Sequence, residues 1–360
     1  MLEIGQKQLE LLERLTNASA VSGDEGAVRK IVLEEVTPHS DQVQVDAMGN
    51  VLVTCRGDAN ADGERLKVML AAHMDEVGFM VTSDEKKGLY RFSCVGGIDP
   101  RQLVGKSLWV GSDRVPGVIG AKPIHLTKRE ERENAISLDS LRIDIGPESD
   151  SKIKVGDTAT FATKFARLGK SIRAKALDDR FGVATLIELV KHAPQNIDLL
   201  AAFTVQEEVG LRGAGVAAYT FNPDLGFALD CTHARDFLPW DEEDENASYN
   251  TRLGAGPAIY VADARTLSDP RLITHLVSTA QDLEIPYQLR QPGGGGTDAG
   301  AIHRQRAGVP SVTVSVPARY LHTAASLARL ADWEAALALM HAALSRLTPD
   351  ILESERSYCG

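Results

Sequence analysis

Apolar and polar positions along the chain follow two alternating periods, and the switches between them outline the fold. Over residues 3–19, Ile4, Leu9, Leu11, Leu12 and Leu15 recur between charges, the spacing of a short amphipathic helix. Residues 21–25 contain the breakers Ser22, Gly23 and Asp24 and read as a loop, with Asp24 placed to cap a helix that runs to about Glu35. Alternation at residues 42–45 and 50–55 predicts a hairpin, and the unbroken run Val68-Met69-Leu70-Ala71-Ala72 predicts a strand buried on both faces. From residue 77 to 167 the texture changes to short β-like runs with a glycine every few residues, as in a small barrel or sandwich. No segment of helical period stands out there except the charged patch 128–133.

After Ala174 strands and helices alternate again. Helices are predicted at 181–192, 213–218, 270–283, 297–306 and 331–347, and strands at 199–205, 227–230, 258–261, 287–290 and 311–316. The plan is an α/β protein: a three-layer α/β/α domain interrupted by an inserted small β-barrel domain. Residues 1–75 and 171–360 belong to the first unit, and residues 76–170 to the second.

A length of 360 residues agrees with two units, since one core of that size is uncommon. No apolar stretch is long enough to span a membrane, and the opening MLEIGQKQLELLERL mixes charges into a helical pattern, unlike a signal peptide. The expected location is the cytoplasm. A net charge of −11 argues against nucleic acid as a partner, because a phosphate-binding surface needs clustered Lys and Arg. Cys55, Cys94, Cys231 and Cys359 form no CxxC pair and read as reduced thiols, Cys231 as a small buried residue. The acidic run at 241–245 reads as a solvated loop.

Candidate chemistry concentrates where acidic residues or histidine follow apolar strands. The segments are Ala72-His73-Met74-Asp75, Leu177-Asp178-Asp179-Arg180, Val205-Gln206-Glu207-Glu208, Leu229-Asp230 and Tyr320-Leu321-His322. Taken singly, each has an ordinary structural reading: a hydrogen-bonded His, a helix-capping Asp, a solvated Glu pair. Together they would bury several like charges at neighbouring strand ends, which is costly unless cations lie between them. Asp178, Glu208 and Asp230 supply −3 against the +4 of two divalent ions, and the imidazoles of His73 and His322 complete an oxygen and nitrogen donor set. Without thiolates, such a set suits zinc, cobalt or manganese.

The chain resembles the co-catalytic metallo-aminopeptidases of peptidase family 42, the glutamyl aminopeptidase and tetrahedral (TET) type. The resemblance rests on AHMDEVGF (72–79), KALDDRFG (175–182), TVQEEVGLRGA (204–214), ALDCT (228–232), GGGTDAGAIH (294–303) and RYLHT (319–323). It covers nearly the whole chain. It implies that Asp178 bridges two divalent metal ions, that His73 and Asp230 hold one, and that Glu208 and His322 hold the other. It also implies Glu207 as the general base toward water, Asp75 as the carboxylate that orients His73, and a cis peptide after Asp178. The implied activity is removal of N-terminal residues from peptides, the free α-amine binding close to the carboxylates. The implied assembly is a homo-oligomer, from dimer to dodecamer, formed through the inserted domain. The sequence departs from the pattern at Ala324-Ala325 and in the acidic run, which bears on substrate preference.

Other signals are weaker. The glycines at 293–296 lack the Lys-Ser/Thr of a phosphate loop and read as a flexible wall or a turn. Asp298 reads as a helix-start carboxylate, and His125 and His303 as structural. Two further readings stay open: a di-metal deacylase or carboxypeptidase on the same scaffold, and a non-catalytic binding protein that keeps the fold. The second is disfavoured by Glu207, since metal binding needs no second Glu beside a ligand.

Overall fold

The continuous apolar runs become the centre of one mixed sheet. In the computed structural model, which describes residues 2–58, 65–147, 153–236, 251–354 and 356, the strands Asp198–Thr204, Lys67–His73, Leu225–His233 and Ser311–Arg319 lie side by side and parallel. Ala71 is level with Ala202 on one side and Ala228 on the other, and Leu229 is level with Val314. The hairpin Gln42–Val45 and Val51–Cys55 extends this core antiparallel at one edge. At the other edge come Ser326–Arg329, Ser171–Ala174 and Ala166–Leu168. Ala258–Tyr260 and Gln288–Arg290 complete eleven strands, attached beside Ser311–Arg319.

Helices cover both faces, which is why the central strands are apolar without alternation. Along Lys67–His73, Val68, Leu70 and Ala72 enter one core while Met69 and Ala71 enter the other, as a side-chain period of two requires. The larger core lies under the helices Gln6–Asn17, Gly26–Val36, Leu177–Lys191, Pro270–Asp282 and Leu330–Ser345, where Phe181 and Trp333 meet at 5.3 Å. On the opposite face Arg212–Phe221 and Ala299–Ile302 pack Ala217 and Ile302 against Met69 and Leu200.

The glycine-punctuated stretch forms a closed six-stranded barrel in the order Gly78–Asp84, Leu89–Val95, Arg142–Asp144, Val115–Gly120, Ser107–Val110, Thr158–Phe161. It has its own core. Phe79 contacts Phe92 and Phe161 edge-on at 5.3 and 5.2 Å, surrounded by Leu103, Leu108, Val110, Ile119 and Ile143. The fold is therefore a three-layer α/β/α domain with an inserted small β-barrel, as the sequence pattern and the resemblance anticipate.

A buried polar cluster marks the place where barrel and sheet meet. Glu76 accepts from Lys175 Nζ at 2.7 and 2.8 Å, from Thr160 Oγ1 at 3.0 Å and from the amide of Ala20 at 3.0 Å. Arg180, fully buried, donates to the carbonyls of Leu15, Met74 and Asp75. Burial of the Lys175 ammonium, offset in part by Glu76, lowers its pKa to about 8.

Several local readings need correction. Asp24 caps no helix: the residue before Gly26–Val36 is Glu25, whose carboxylate accepts from the amides of Gly23 and Gln206, while Asp24 accepts from Thr158 Oγ1. The helix predicted at 297–306 shrinks to Ala299–Ile302 because the chain turns through Arg306 (φ 54°) and Gly308 (φ 100°) into the next strand. Cys55 and Cys231 are free and buried, and Cys94 is half-buried. Cys359 and the acidic run at 241–245 lie outside the described residues.

Candidate metal centre

The parallel strands deliver the candidate residues to one edge of the sheet, as expected of open α/β sheets. His73 is the last residue of its strand and is level with Thr204, from which the chain runs on to Glu207 and Glu208. Asp230 lies near the carboxyl end of Leu225–His233, and His322 follows the end of Ser311–Arg319. Asp178 enters from the facing layer at the start of Leu177–Lys191, where Asp178 and Asp179 depart from helical geometry. The Asp178–Asp179 peptide is cis.

These side chains form two groups that share Asp178. His73, Asp178 and Asp230 present ligand atoms within 4.8 Å of one another, and so do Asp178, Glu208 and His322. His73 Nε2 is 3.1 Å from Asp178 Oδ1 and 4.0 Å from Asp230 Oδ1. His322 Nε2 is 3.4 Å from both Asp178 Oδ2 and Glu208 Oε2. Glu207 belongs to neither group, although it is buried beside them.

Each imidazole turns one nitrogen to the cluster and the other to a fixed partner, the arrangement that sets tautomer and orientation in metal-binding histidines. Nδ1 of His73 faces the Asp75 carbonyl at 3.2 Å and its carboxylate at 3.4 Å. Asp75 does more than orient His73. Its two oxygens accept from the amides of Glu207 and Glu208 at 3.0 and 3.2 Å and from Ser22 Oγ at 2.6 Å, so one buried carboxylate also fixes the turn that presents both glutamates. The burial that would raise Asp75 is outweighed by His73, Ser22 and the Glu207 amide, which hold it below the usual range. Nδ1 of His322 lies 2.9 Å from the carbonyl of Gly97, a barrel residue. The insertion thus positions one imidazole through its backbone.

The electrostatics fit divalent cations. Burial among other carboxylates pushes Asp230 and Glu207 well above their usual values and Glu208 up to about 7. Asp178 is driven the other way: hydrogen bonds from His322 and His73 overcome its burial and hold it well below the carboxylate range. Burial opposes charge on the imidazoles, yet contact with Asp178 outweighs it, leaving His73 well above its usual value and His322 at about 9. Two imidazoles cannot neutralise this many buried carboxylates, whereas cations within each group would do so with oxygen and nitrogen donors.

Protons and cations compete for the same atoms, which gives the sign of a pH dependence. His322 and Glu208 hold protons below about 9 and about 7, so a cation bound by them would displace the His322 proton at neutral pH and the Glu208 proton chiefly below about 7. Apparent affinity for zinc should rise from pH 6 to 8, by roughly tenfold per pH unit for each displaced proton. Titration calorimetry in buffers of different ionisation heat measures both quantities; pH-independent affinity without proton release would contradict the assignment.

A cavity of about 520 Å³ opens over the groups. Its far wall carries Arg265, Arg290 and glycines 294–296, with Arg290 stacked 4.2 Å over Tyr260 and bonded to the carbonyls of Ala262 and Gly294. Sequence reasoning missed several participants. Asp298 makes no capping bond and instead accepts from Thr204 Oγ1, facing the Glu207 side of the cluster. Asp179 accepts from the amide of His73 and from that of Gly182. A pair of Asp residues in one motif was a usable signal for Asp179; Gly97 left none, because a carbonyl has no residue identity. His303 bonds to the Ala299 carbonyl one helical turn back, and His125 lies in the barrel segment, apart from both groups.

Comparison with known proteins places this arrangement in a family. The chain is 32% identical over 353 residues to lysyl aminopeptidase of Pyrococcus furiosus, covering 94% of this chain and 97% of that protein. It is 32% identical over 367 residues to glutamyl aminopeptidase of Lactococcus lactis subsp. cremoris, covering 97% and 100%. Among solved structures it superposes with a TM-score of 0.82 and 34% identity on the Pyrococcus horikoshii TET1 peptidase, which can assemble into a tetrahedron or a large octahedral shell, over 94% of this chain and 100% of that one. The sequence profile of one family matches residues 49–339. With its two sheet-edge ligand groups joined at Asp178, the chain belongs to the M42 glutamyl aminopeptidase family.

Proposed function

We propose that the protein is a metal-dependent aminopeptidase that removes N-terminal residues from peptides, using two divalent ions, zinc or cobalt and secondarily manganese. The observation that carries this reading is a glutamate, Glu207, buried beside two ligand groups and belonging to neither. In this reading Asp178 serves both ions, His73 and Asp230 the first, and Glu208 and His322 the second. When bound, such ions supply Lewis acidity and bring the pKa of a coordinated water toward neutrality.

The remaining steps fall to the chain. Asp75 and the Gly97 carbonyl hold the two imidazoles in the tautomer that leaves Nε2 available. Glu207 accepts the proton of the attacking water and returns it to the amine nitrogen of the leaving peptide. Its raised pKa is the basicity that such a transfer needs. The substrate's α-ammonium lies against the carboxylates, which restricts cleavage to the first residue.

The side chain of that residue enters the cavity beneath Arg265 and Arg290. Beyond the ligand carboxylates and Glu207, the lining among the described residues carries no acid, so acidic N-terminal residues are favoured. The barrel within residues 76–170 forms the assembly part of a homo-oligomer; residues 1–75 and 171–360, joined by the edge strand Ala166–Leu168, form the catalytic domain, and the working compartment is the cytoplasm.

A panel of aminoacyl chromogenic amides tests the reading, beside N-acylated versions of the same compounds. Free-amine substrates should be cleaved and blocked ones not. Glutamyl amides should exceed lysyl amides in kcat/KM by about tenfold or more, the scale of a like-charge penalty in a partly desolvated site. Cleavage of the N-acylated series instead would favour the deacylase alternative, and no cleavage of either series would favour a binding protein.

A further inference from the structure

A third imidazole on the cavity wall, His233, belongs to neither ligand group. It ends the strand Leu225–His233, level with Ala318 of the neighbouring strand. Side chains along a strand alternate between its faces. Cys231 turns toward the layer of Leu177–Lys191, where its thiol donates to the Leu177 carbonyl at 3.1 Å, directly before Asp178. His233, two residues on, leaves the strand on that same side. Its ring lies 6.1 Å from the ring of His322, at an angle of 60°. The backbone there is fixed, since the His233 carbonyl accepts from Thr251 Oγ1 at 2.6 Å. The imidazole is not: among the described residues it has no hydrogen-bonding partner.

Its place is a sill. His233 and Leu321 line both the cavity over the ligand groups and an adjoining hollow of about 620 Å³, to which the barrel segment contributes Gln102. Other polar side chains of the first cavity are engaged. Ionised carboxylates only accept hydrogen bonds. Arg290 donates to the carbonyls of Ala262 and Gly294, and Thr297 Oγ1 shares its bond with Thr313. Arg265 is taken by the first side chain in the aminopeptidase reading. A neutral imidazole carries one N–H donor on a flat ring, so His233 offers a donor to whatever backbone crosses the sill.

We propose that His233 is a substrate-binding residue whose imidazole donates to the backbone carbonyl of the peptide's second residue, just past the bond that is cut. The inference rests on the aminopeptidase reading and carries it across the scissile bond. The α-ammonium lies against the carboxylates and the first side chain beneath Arg265, so the rest of the chain leaves over the sill. An extended peptide advances about 3.3 Å per residue. The 6.1 Å from the His322 ring to the His233 ring is thus within two residues' reach of the bond being cut. A bond to a carbonyl holds the leaving peptide by its backbone, whatever its side chains.

The test sets a tripeptide amide against an aminoacyl chromogenic amide with the same N-terminal residue. The tripeptide has a second carbonyl and the chromogenic compound has none. His233→Phe keeps a ring beside His322 but removes the donor. In that variant the ratio of kcat/KM for the tripeptide to kcat/KM for the chromogenic amide should fall roughly fivefold, the worth of one neutral hydrogen bond. The fall should come chiefly through the tripeptide's KM, because the bond is made equally before and during the reaction. His233→Gln, which retains an N–H donor, should recover most of the ratio. An unchanged ratio in His233→Phe would overturn the proposal even where both rates fall, since that places His233 at the scissile carbonyl the two substrates share. A ratio in His233→Gln as low as in His233→Phe would overturn it too. Turnover of the chromogenic amide by the unsubstituted protein reports on the aminopeptidase reading separately.

Discussion

In Glu207→Gln both metal ions should remain bound while kcat falls by roughly 10²–10⁴-fold, the usual worth of a positioned general base. The neighbouring substitution Glu208→Gln should lose metal and rate together, because an amide is a neutral and poor donor. The geometry makes the contrast sharp. Glu208 Oε2 lies 3.4 Å from His322 Nε2 within a ligand group, whereas Glu207 lies outside both groups. Both amides are nonetheless held by the same Asp75 carboxylate, so either replacement leaves the backbone turn anchored. Metal content by elemental analysis, plotted against rate for the two variants, separates the roles. Metal loss in Glu207→Gln would mean the glutamates share ligation. Near-normal rate in Glu207→Gln would leave proton transfer without its base and bring the mechanism down.

Chelation should reduce hydrolysis to background, and zinc or cobalt should restore it, with manganese less effective. Three carboxylates, Asp178 among them, and two imidazoles present a charge of −3 that two divalent ions balance with one positive charge to spare. The same ions should stabilise the fold, by about 4 kcal/mol for each site when free metal exceeds its Kd a thousandfold. Thermal unfolding with and without metal reads this independently of turnover. Full hydrolysis by protein shown to be metal-free would exclude the di-metal reading, whatever its effect on melting.

The sheet centre was legible because burial on both faces removes alternation: Val68 to Ala72 could hardly be anything but an interior strand. The site was legible for a related reason. Polar residues directly after such runs stand at the carboxyl edge of the sheet, and His73, Glu207, Glu208, Asp230 and His322 all do. What escaped depends on partners distant in sequence. Asp298 does stand at a helix start, but the partner of its carboxylate, Thr204, shows only in three dimensions, and Asp24 looks like a cap until Thr158 arrives from the barrel. The glycine rhythm of residues 77–167 announced a β unit but not its strand order, which follows from pairings such as Gly78–Asp84 with Thr158–Phe161. The Gly97 carbonyl, which orients His322, could be found only in three dimensions.

The sharing of Asp178 has a consequence for how the protein is made. His73, Asp178 and Asp230 complete one ligand group once synthesis has passed residue 230, but the other waits for His322, far toward the C-terminus. A chain that ends before residue 322 can therefore offer at most one of the two groups. The strand Ser311–Arg319 and the turn after it act as a late assembly step, so a copy unfinished at that point should be unable to trim the free N-termini of its neighbours.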